Sequence, residues 1–265
     1  MILHNGLQLD ANLKWLFTEL PFEQRFDAAA AAGFTAVEYA SPYAFPAAAL
    51  IRRLADAGLT QILINSPTGE PGSPERLGYA CLPGRAAEFR AGVELGLEYA
   101  VALGSTFLHL PAGIRPAGVS RDRAFAQYVA NIAWAADQAR GSGIRLLLEA
   151  QNEQDAPGFV LDDQAHAAAV ADAIDEPHLS LLFDVYHASI DEKDVVTALR
   201  EFLPRAAHLQ IADSPGRSEP GTGGIPWADV FDTLQSEGYD GWIGCEYKPA
   251  TSTEAGLNWI EEQIR

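Results

Sequence analysis

Four oxygen-bearing side chains, Glu149, Asp184, Gln210 and Glu246, each stand at or near the end of a short apolar run. The runs are Arg145 to Glu149, Leu179 to Asp184, Ala206 to Asp213, and the stretch 241–249, Gly-Trp-Ile-Gly-Cys-Glu-Tyr-Lys-Pro. Apolar runs of this length between turn-forming residues read as buried strands. A carboxylate where such a strand leaves the core needs a cation partner, a metal or a catalytic role, because a buried unpaired charge is very costly. Three carboxylates gathered without a cation would repel and raise one another's pKa. A divalent metal removes that conflict, and all-oxygen ligation suits Mg²⁺ or Mn²⁺. The plainer alternative is that one or two of these side chains cap loops or pair with Arg.

Further polar residues follow the same runs. His187 lies three residues past Asp184, Asp155 six past Glu149, and Arg217 seven past Gln210. Arg217 opens the Gly-rich run Arg-Ser-Glu-Pro-Gly-Thr-Gly at 217–223, and His109 ends the fourth strand. A lone His is more often structural than functional; His187 departs from that default through its neighbours, and His109 has less to set it apart. Arg217 and Lys248 are the cations on hand for an anionic substrate, and each has a rim salt bridge as its alternative role.

The elements that must carry these residues alternate strictly. The N-terminal run Leu7 to Leu16 is followed by an Ala-rich helix that opens at Pro21 and closes at Gly33. Pro at a helix start and Gly just past its end is the usual punctuation. Strands are expected at Ala36 to Tyr39, Gln61 to Asn65 and Thr106 to Leu110, then at the four runs above. Helices are expected at Ala47 to Ala57, Arg85 to Leu103, Ser120 to Arg140, Asp162 to Ile174, Asp194 to Phe202, Trp227 to Glu237 and Thr253 to Ile264. Eight strand–helix units imply a parallel sheet, and in about 250 residues they match a closed (β/α)₈ TIM barrel. No composition shift marks a linker, so residues 1–265 are expected to form a single domain. A doubly wound open sheet is the weaker alternative, since no Gly-x-Gly-x-x-Gly follows the first strand. Active sites of such barrels lie at the C-terminal ends of the strands, where the four oxygen-bearing residues stand. Residues 66–84 form the longest structureless connection, a length typical of lids and binding loops, with a tolerated surface insertion as the alternative.

The charge excludes other classes. Acidic residues number 36 and basic ones 18, a net charge of −18, with no basic cluster. Nucleic acid and anionic membranes are poor partners for such a chain. No apolar run is long enough to span a bilayer, and the first residues lack the pattern of a signal peptide. Cys81 and Cys245 form neither a zinc-type nor a CxxC pattern, and two reduced core thiols in a cytoplasmic protein are expected.

The chain resembles the hydroxypyruvate isomerase family among the xylose-isomerase-like barrels. The resemblance runs almost end to end, through Ala11-Asn12-Leu13, Gly33-Phe34 with Val37-Glu38, Pro83-Gly84-Arg85, Pro157-Gly158-Phe159, Asp184-Val-Tyr-His187 and His208-Leu-Gln-Ile-Ala-Asp213. Its most specific parts are Glu219-Pro-Gly-Thr-Gly223 and Gly241 to Pro249. It implies one divalent metal on Glu149, Asp184, Gln210 and Glu246, and a catalytic acid/base pair, Glu149 and Glu246. The expected reaction interconverts hydroxypyruvate and tartronate semialdehyde by proton transfer through an ene-diolate. His187, Arg217, Asp155, Lys248 and His109 are the expected substrate-binding residues. The partner is a small hydroxy-oxo acid or sugar, and a homo-oligomer is compatible. Ile64 stands where members often have His, which keeps open an oxo-tetronate or a free ketose as substrate, the latter with 3-epimerase chemistry. Two further readings are weaker: a phosphodiester-cleaving enzyme, which needs many His ligands and a basic groove, and a binding protein that has lost catalysis.

Overall fold

The computed structural model describes residues 1–3, 6–191 and 194–263. Its strands are β1 (Gln8–Asn12), β2 (Ala36–Glu38), β3 (Thr60–Gln61), β4 (Leu63–Asn65), β5 (Phe107–His109), β6 (Arg145–Glu149), β7 (Leu179–Asp184), β8 (Ala206–Ile211) and β9 (Trp242–Cys245). They pair in parallel in the order β3-β2-β1-β9-β8-β7-β6-β5-β4. The two edges of this sheet, β3 and β4, are consecutive along the chain and flank Ile62. The Ile62 amide donates to the Val37 carbonyl at 2.9 Å, while its own carbonyl accepts from Thr106 at 3.1 Å and Phe107 at 2.8 Å. The sheet is therefore a TIM barrel, closed but for a local break at Ile62, and the third expected strand appears as two segments.

Helices α1 (Arg25–Ala31), α2 (Ala47–Ala57), α3 (Ala86–Leu103), α4 (Arg121–Ala139), α5 (Gln164–Ile174), α6 (Val185–Asp191), α7 (Val195–Phe202), α8 (Trp227–Ser236) and α9 (Asn258–Gln263) follow the strands. Ser120, Asp163 and Asp194 cap their helices by accepting from backbone amides of the first turn, and Gly58 and Gly104 end theirs in the left-handed conformation. Two boundaries differ from expectation. Helix α6 starts directly after β7, and the last helix is shortened to α9 behind a 3₁₀ turn at Ala255–Leu257. The expected end of that last helix, Ile264, lies outside the described residues. No helix among the described residues is long and apolar enough to cross a membrane. Both cysteines are buried and free.

The core has two parts. The larger lies between sheet and helices and includes Leu9, Val37, Ile64, Leu108, Leu148, Phe183, Leu209 and Ile243. The smaller joins Ala36, Ile62, Leu63, Phe107, Leu147 and Leu182, with Trp242 packed against it. Side chains alternate across a strand, so these inner residues set the parity of the barrel interior. Two positions further along each strand stand Glu38, His109, Glu149 and Asp184. The same step leads from Trp242 through Gly244 to Glu246. An apolar plug thus fills the barrel, and the polar residues sit on it at the C-terminal rim.

The 66–84 connection has no helix or strand, and its two halves differ. Its second half is tied to the core: Ala80, Cys81 and Leu82 are buried, Cys81 N donates to Ala112 O at 2.9 Å, and Asn131 Nδ2 donates to Ala80 O at 2.8 Å. Gly78 makes this contact possible, at φ +114°, where a Cβ would overlap the Pro111 carbonyl. Gly78→Ala is expected to lower stability by about 2 kcal/mol or more through strain and displacement of the segment. Urea denaturation of the variant checks this.

Candidate active site

Glu149, Asp184 and Glu246 meet at the rim, and strand ends alone do not fix their orientations. Glu149 Oε2 accepts from Gln151 Nε2 at 2.8 Å and lies 3.5 Å from His109 Nε2, while its Oε1 lies 3.8 Å from His187 Nε2. Asp184 Oδ1 accepts from the Tyr186 amide at 2.8 Å, which caps the start of α6 and turns Oδ2 toward the site. Arg217 Nη2 donates to Asp184 Oδ2 at 3.0 Å and also to Glu246 Oε2. The guanidinium lies between the Trp15 and Tyr186 rings, 4.9 and 4.8 Å from their centroids.

The loop after β8 delivers this arginine. Asp213, fully buried, accepts from the amides of Ser214 (2.8 Å), Gly221 (2.7 Å) and Ile225 (3.2 Å) and from Trp227 Nε1 (2.9 Å). One carboxylate so organises the whole Gly-rich run. Arg217 itself adopts a left-handed backbone, φ +54°, with its carbonyl held by the Lys248 amide at 2.8 Å. Glu219 Oε2 accepts from the Ala250 amide at 2.9 Å, a second stitch between this loop and the one after β9.

His187 is buried beside the carboxylates. The Asn152 backbone amide donates to His187 Nδ1 at 3.2 Å, and Asn152 Nδ2 lies 2.6 Å from the same nitrogen. A backbone N–H only donates, so Nδ1 accepts there, and Nε2 in turn faces a second obligatory donor, Arg217 Nη1, at 3.4 Å. Nε2 sits 3.7 Å from Asp184 Oδ2 and 3.8 Å from Glu149 Oε1, aimed into the site. Burial, then the neighbouring Arg217 charge, pushes the His187 pKa down to about 3, so the ring is neutral. His109 is likewise held down near 3, chiefly by burial and then by Lys14. Asp155 stands one layer out, accepting from Tyr186 Oη at 2.7 Å and Asn152 Nδ2 at 3.2 Å, and so braces the partners of Arg217 and His187. Lys248 is not brought in: its side chain is exposed and forms no ion pair among the described residues, and it serves Arg217 only through its amide. Ile64 is fully buried in the outer core beside its register partner Leu108, turned away from the rim.

A layer below, the structure adds residues that the reading of the sequence did not select. Glu38, at the end of β2, is completely buried. Its Oε1 accepts from Asn12 Nδ2 and from Gln210 Nε2, both at 2.7 Å, and its Oε2 pairs with His208 Nε2 at 2.7 Å. The same two amides reach Glu246 Oε1, Asn12 at 3.1 Å and Gln210 at 3.4 Å. Glu38 therefore fixes which way the Gln210 amide faces: with its nitrogen engaged, its oxygen is the donor left for a cation. Gly244 leaves the room for the Glu38 carboxylate, since a Cβ there would overlap it. The expected strand ran to Tyr39; the observed β2 ends on Glu38, which makes it a strand-closing carboxylate like Glu149 and Asp184.

The electrostatics ask for positive charge. Burial, then Glu246 and Asp184, pushes Glu149 up to about 8; burial raises Asp184 to about 6 against the pull of Arg217. Glu246 is also raised, first by burial, with Arg217 opposing. Glu149, Asp184 and His187 each offer an atom within 4.8 Å of the others, so acidic and imidazole groups that could hold a metal are present. A second such group, Asp10, Glu38 and His208, lies deeper in the barrel. The rim set fits a hard divalent cation: its carboxylate oxygens and the Gln210 oxygen are all hard donors, and their mutual repulsion is what a cation relieves.

Comparison with known proteins gives the same architecture and narrows the class. Residues 26–263 match the family model described as xylose isomerase-like TIM barrel. The 2-oxo-tetronate isomerase of Cupriavidus necator is 42% identical over 254 residues, 96% of this chain and 97% of that protein. The hydroxypyruvate isomerase of Escherichia coli is 40% identical, over 96% and 98% of the two chains. A crystal structure titled AP endonuclease, family 2, from Brucella melitensis superposes with a TM-score of 0.92 at 38% identity, covering 97% of this chain and 98% of that one.

Two outcomes follow from the rim geometry. Without added metal, the raised carboxyls of Glu149 and Asp184 stabilise the fold while neutral. That contribution is complete below their unfolded values near 4 and is lost as pH rises through about 6 and then about 8. In EDTA, the thermal midpoint should therefore fall between pH 5 and pH 9, and Glu149→Gln should flatten the upper part of that fall. Glu38→Ala strands three buried donors and is expected to cost about 3 kcal/mol or more, read by chemical denaturation.

Proposed function

The chain belongs to the xylose isomerase-like TIM-barrel family, and from that premise we propose that it interconverts hydroxypyruvate and tartronate semialdehyde with one divalent metal ion, Mg²⁺ or Mn²⁺. The observation that carries this reading is the meeting of Glu149, Asp184 and Glu246 around a single guanidinium at the rim. Glu149, Asp184, Glu246 and the Gln210 oxygen would hold the metal. A cation in that position supplies Lewis-acid stabilisation of the negative charge that develops on substrate oxygens.

The side chains divide the remaining work. Glu246, whose carboxyl burial raises and Arg217 pulls back, sits against that guanidinium and as a carboxylate is placed to take the proton from the carbon beside the carbonyl. Glu149, on the neighbouring side of the site, is placed to deliver one to the former carbonyl carbon, and proton exchange with solvent restores the pair. The proton on the hydroxyl oxygen passes to the old carbonyl oxygen, so the two carbons exchange oxidation state and nothing else is consumed. His187 turns Nε2 inward beside Arg217, where it would line the substrate's place, and Asn152 and Asp155 keep it and Tyr186 in position. The buried setting of Glu149 and Asp184 limits water at the reactive carbons.

A second substrate, a four-carbon 2-oxo-tetronate, is favoured by the relative that is 42% identical. Ile64 does not bear on that choice, since it faces the outer core. Phosphodiester cleavage fits poorly: each candidate metal group among the described residues contains one His, and the chain carries −18.

Incubation with Mg²⁺ in D₂O, followed by NMR, tests the proposal with both acids. Solvent deuterium should enter at the abstracted carbon, and an aldehyde should appear from hydroxypyruvate or a 3-oxo acid from the tetronate. Glu246→Gln is expected to lower kcat by roughly 10²–10⁴-fold with an unchanged circular dichroism spectrum. Near-normal turnover in that variant, or no exchange with either acid in the unmodified protein, would refute the assignment.

A further inference from the structure

A small acid that enters this site carries a negative charge into a protein that is itself strongly negative. Arg217, one of the two cations that the sequence offers for it, is already engaged by Asp184 and Glu246 and wedged between two aromatic rings. Lys248, the other, is exposed and is linked to the site only by its amide. The chain has three lysines, and the first of them, Lys14, is differently placed.

Lys14 follows the end of β1 by two residues. Its amide donates to Asn12 Oδ1 at 3.0 Å, and the Nδ2 of that same Asn12 donates to Glu246 Oε1 at 3.1 Å. One amide group and two hydrogen bonds therefore separate the Lys14 backbone from the Glu246 carboxylate. The Lys14 ammonium lies 5.5 Å from the centroid of the Trp15 ring, the ring that also carries Arg217 at 4.9 Å. The side chain is exposed, and no carboxylate forms an ion pair with it among the described residues. Burial dominates the shifts of Glu246 and His109, and the Lys14 charge is near enough to pull both downward.

We propose that Lys14 is a specificity residue that receives the carboxylate of an anionic hydroxy-oxo substrate at the mouth of the barrel. This rests on the isomerase reading above. The neutral Trp15 surface holds the ammonium at the rim while leaving its N–H groups to a ligand, and the Asn12 tether fixes where the chain leaves the strand. Arg217 keeps the acid/base carboxylate in register, and Lys14 takes the substrate's own charge. Two cations with separate duties avoid a competition in which the substrate would strip Arg217 from Glu246.

Lys14→Met and Lys14→Arg test this, with Lys248→Met beside them. Lys14 is exposed, so the variants should fold, which a thermal midpoint checks. In Lys14→Met the KM for hydroxypyruvate should rise about tenfold or more, the size of a lost charge-assisted contact, with kcat changing much less. Lys14→Arg should recover most of the loss. Calorimetric binding of tartronate, a stable hydroxy dicarboxylate, to the Mg²⁺-loaded protein should weaken by a similar factor in Lys14→Met and fall with salt in the unmodified protein. Unchanged KM and unchanged tartronate affinity in Lys14→Met overturn the inference, as does the same loss appearing in Lys248→Met instead, or no tartronate binding at all. Lys14-dependent tartronate binding without turnover of either acid would defeat the isomerase reading and leave this one standing.

Discussion

Four carboxylates, Glu38, Glu149, Asp184 and Glu246, point to one end of the barrel interior, and the burial of that much like charge is the constraint on which the rest of the structure depends. Each is compensated differently. Glu38 is satisfied by three side-chain N–H donors and needs no mobile cation. Asp184 divides its oxygens between the start of α6 and Arg217. Glu246 shares Arg217 and takes two amides on its other oxygen. Glu149 has the least support, one amide from Gln151 and neutral imidazoles, and it is the carboxyl pushed furthest up. Glu38, Glu149 and Asp184 are all buried while Glu246 is partly exposed, so hydrogen bonding separates the first three more than burial does.

Keeping such a set in place requires a scaffold that cannot shear. The apolar plug of Phe107, Leu147 and Leu182 sits directly beneath the rim, so a shift of any strand there would open voids in a close-packed core. Above the rim the support is polar. Asp213 gathers the loop after β8, and the loops after β8 and β9 are stitched at Arg217 and Glu219. The strained backbone of Arg217 is tolerated because both sides of it are tied. The interior therefore changes character within one strand, from hydrocarbon to charge, and the change coincides with the end of the sheet.

The barrel and the rim carboxylates were legible in the sequence because both follow from periodicity. Alternating strands and helices give the fold, and a charge that closes an apolar run marks the rim. Glu38 was passed over because its strand was expected to run on to Tyr39, so the carboxylate did not close it, whereas the observed β2 ends at Glu38. Helix α6 was missed because it begins at Val185, directly after the last residue of β7, with no turn residues between strand and helix to announce it. Ile64 looked informative by position and is not, since the break at Ile62 changes which face of the strand it occupies. Lys248 and Lys14 could not be ranked from sequence. Each lies two residues past an oxygen-bearing rim residue, and only the paths of the loops separate the one that points outward from the one that returns over Trp15.

The placement of these groups divides the barrel by task. Strands β6 to β9 carry Glu149, Asp184, Gln210 and Glu246, the groups proposed to hold a cation and move protons, with Arg217 between them. The early strands contribute Asn12, Glu38 and His109, with Lys14 just past β1. A reaction class is fixed by the first group, because any loss there leaves buried charge without a partner. Substrate charge is freer to change through Lys14, because an exposed lysine on an indole is exchanged at little cost to the fold. Relatives named for a three-carbon and a four-carbon acid can therefore stand at nearly the same identity to this chain, 40% and 42%, over almost its whole length. On the proposed reading, the choice between such acids would rest on rim positions such as Lys14 and not on the carboxylates beneath it.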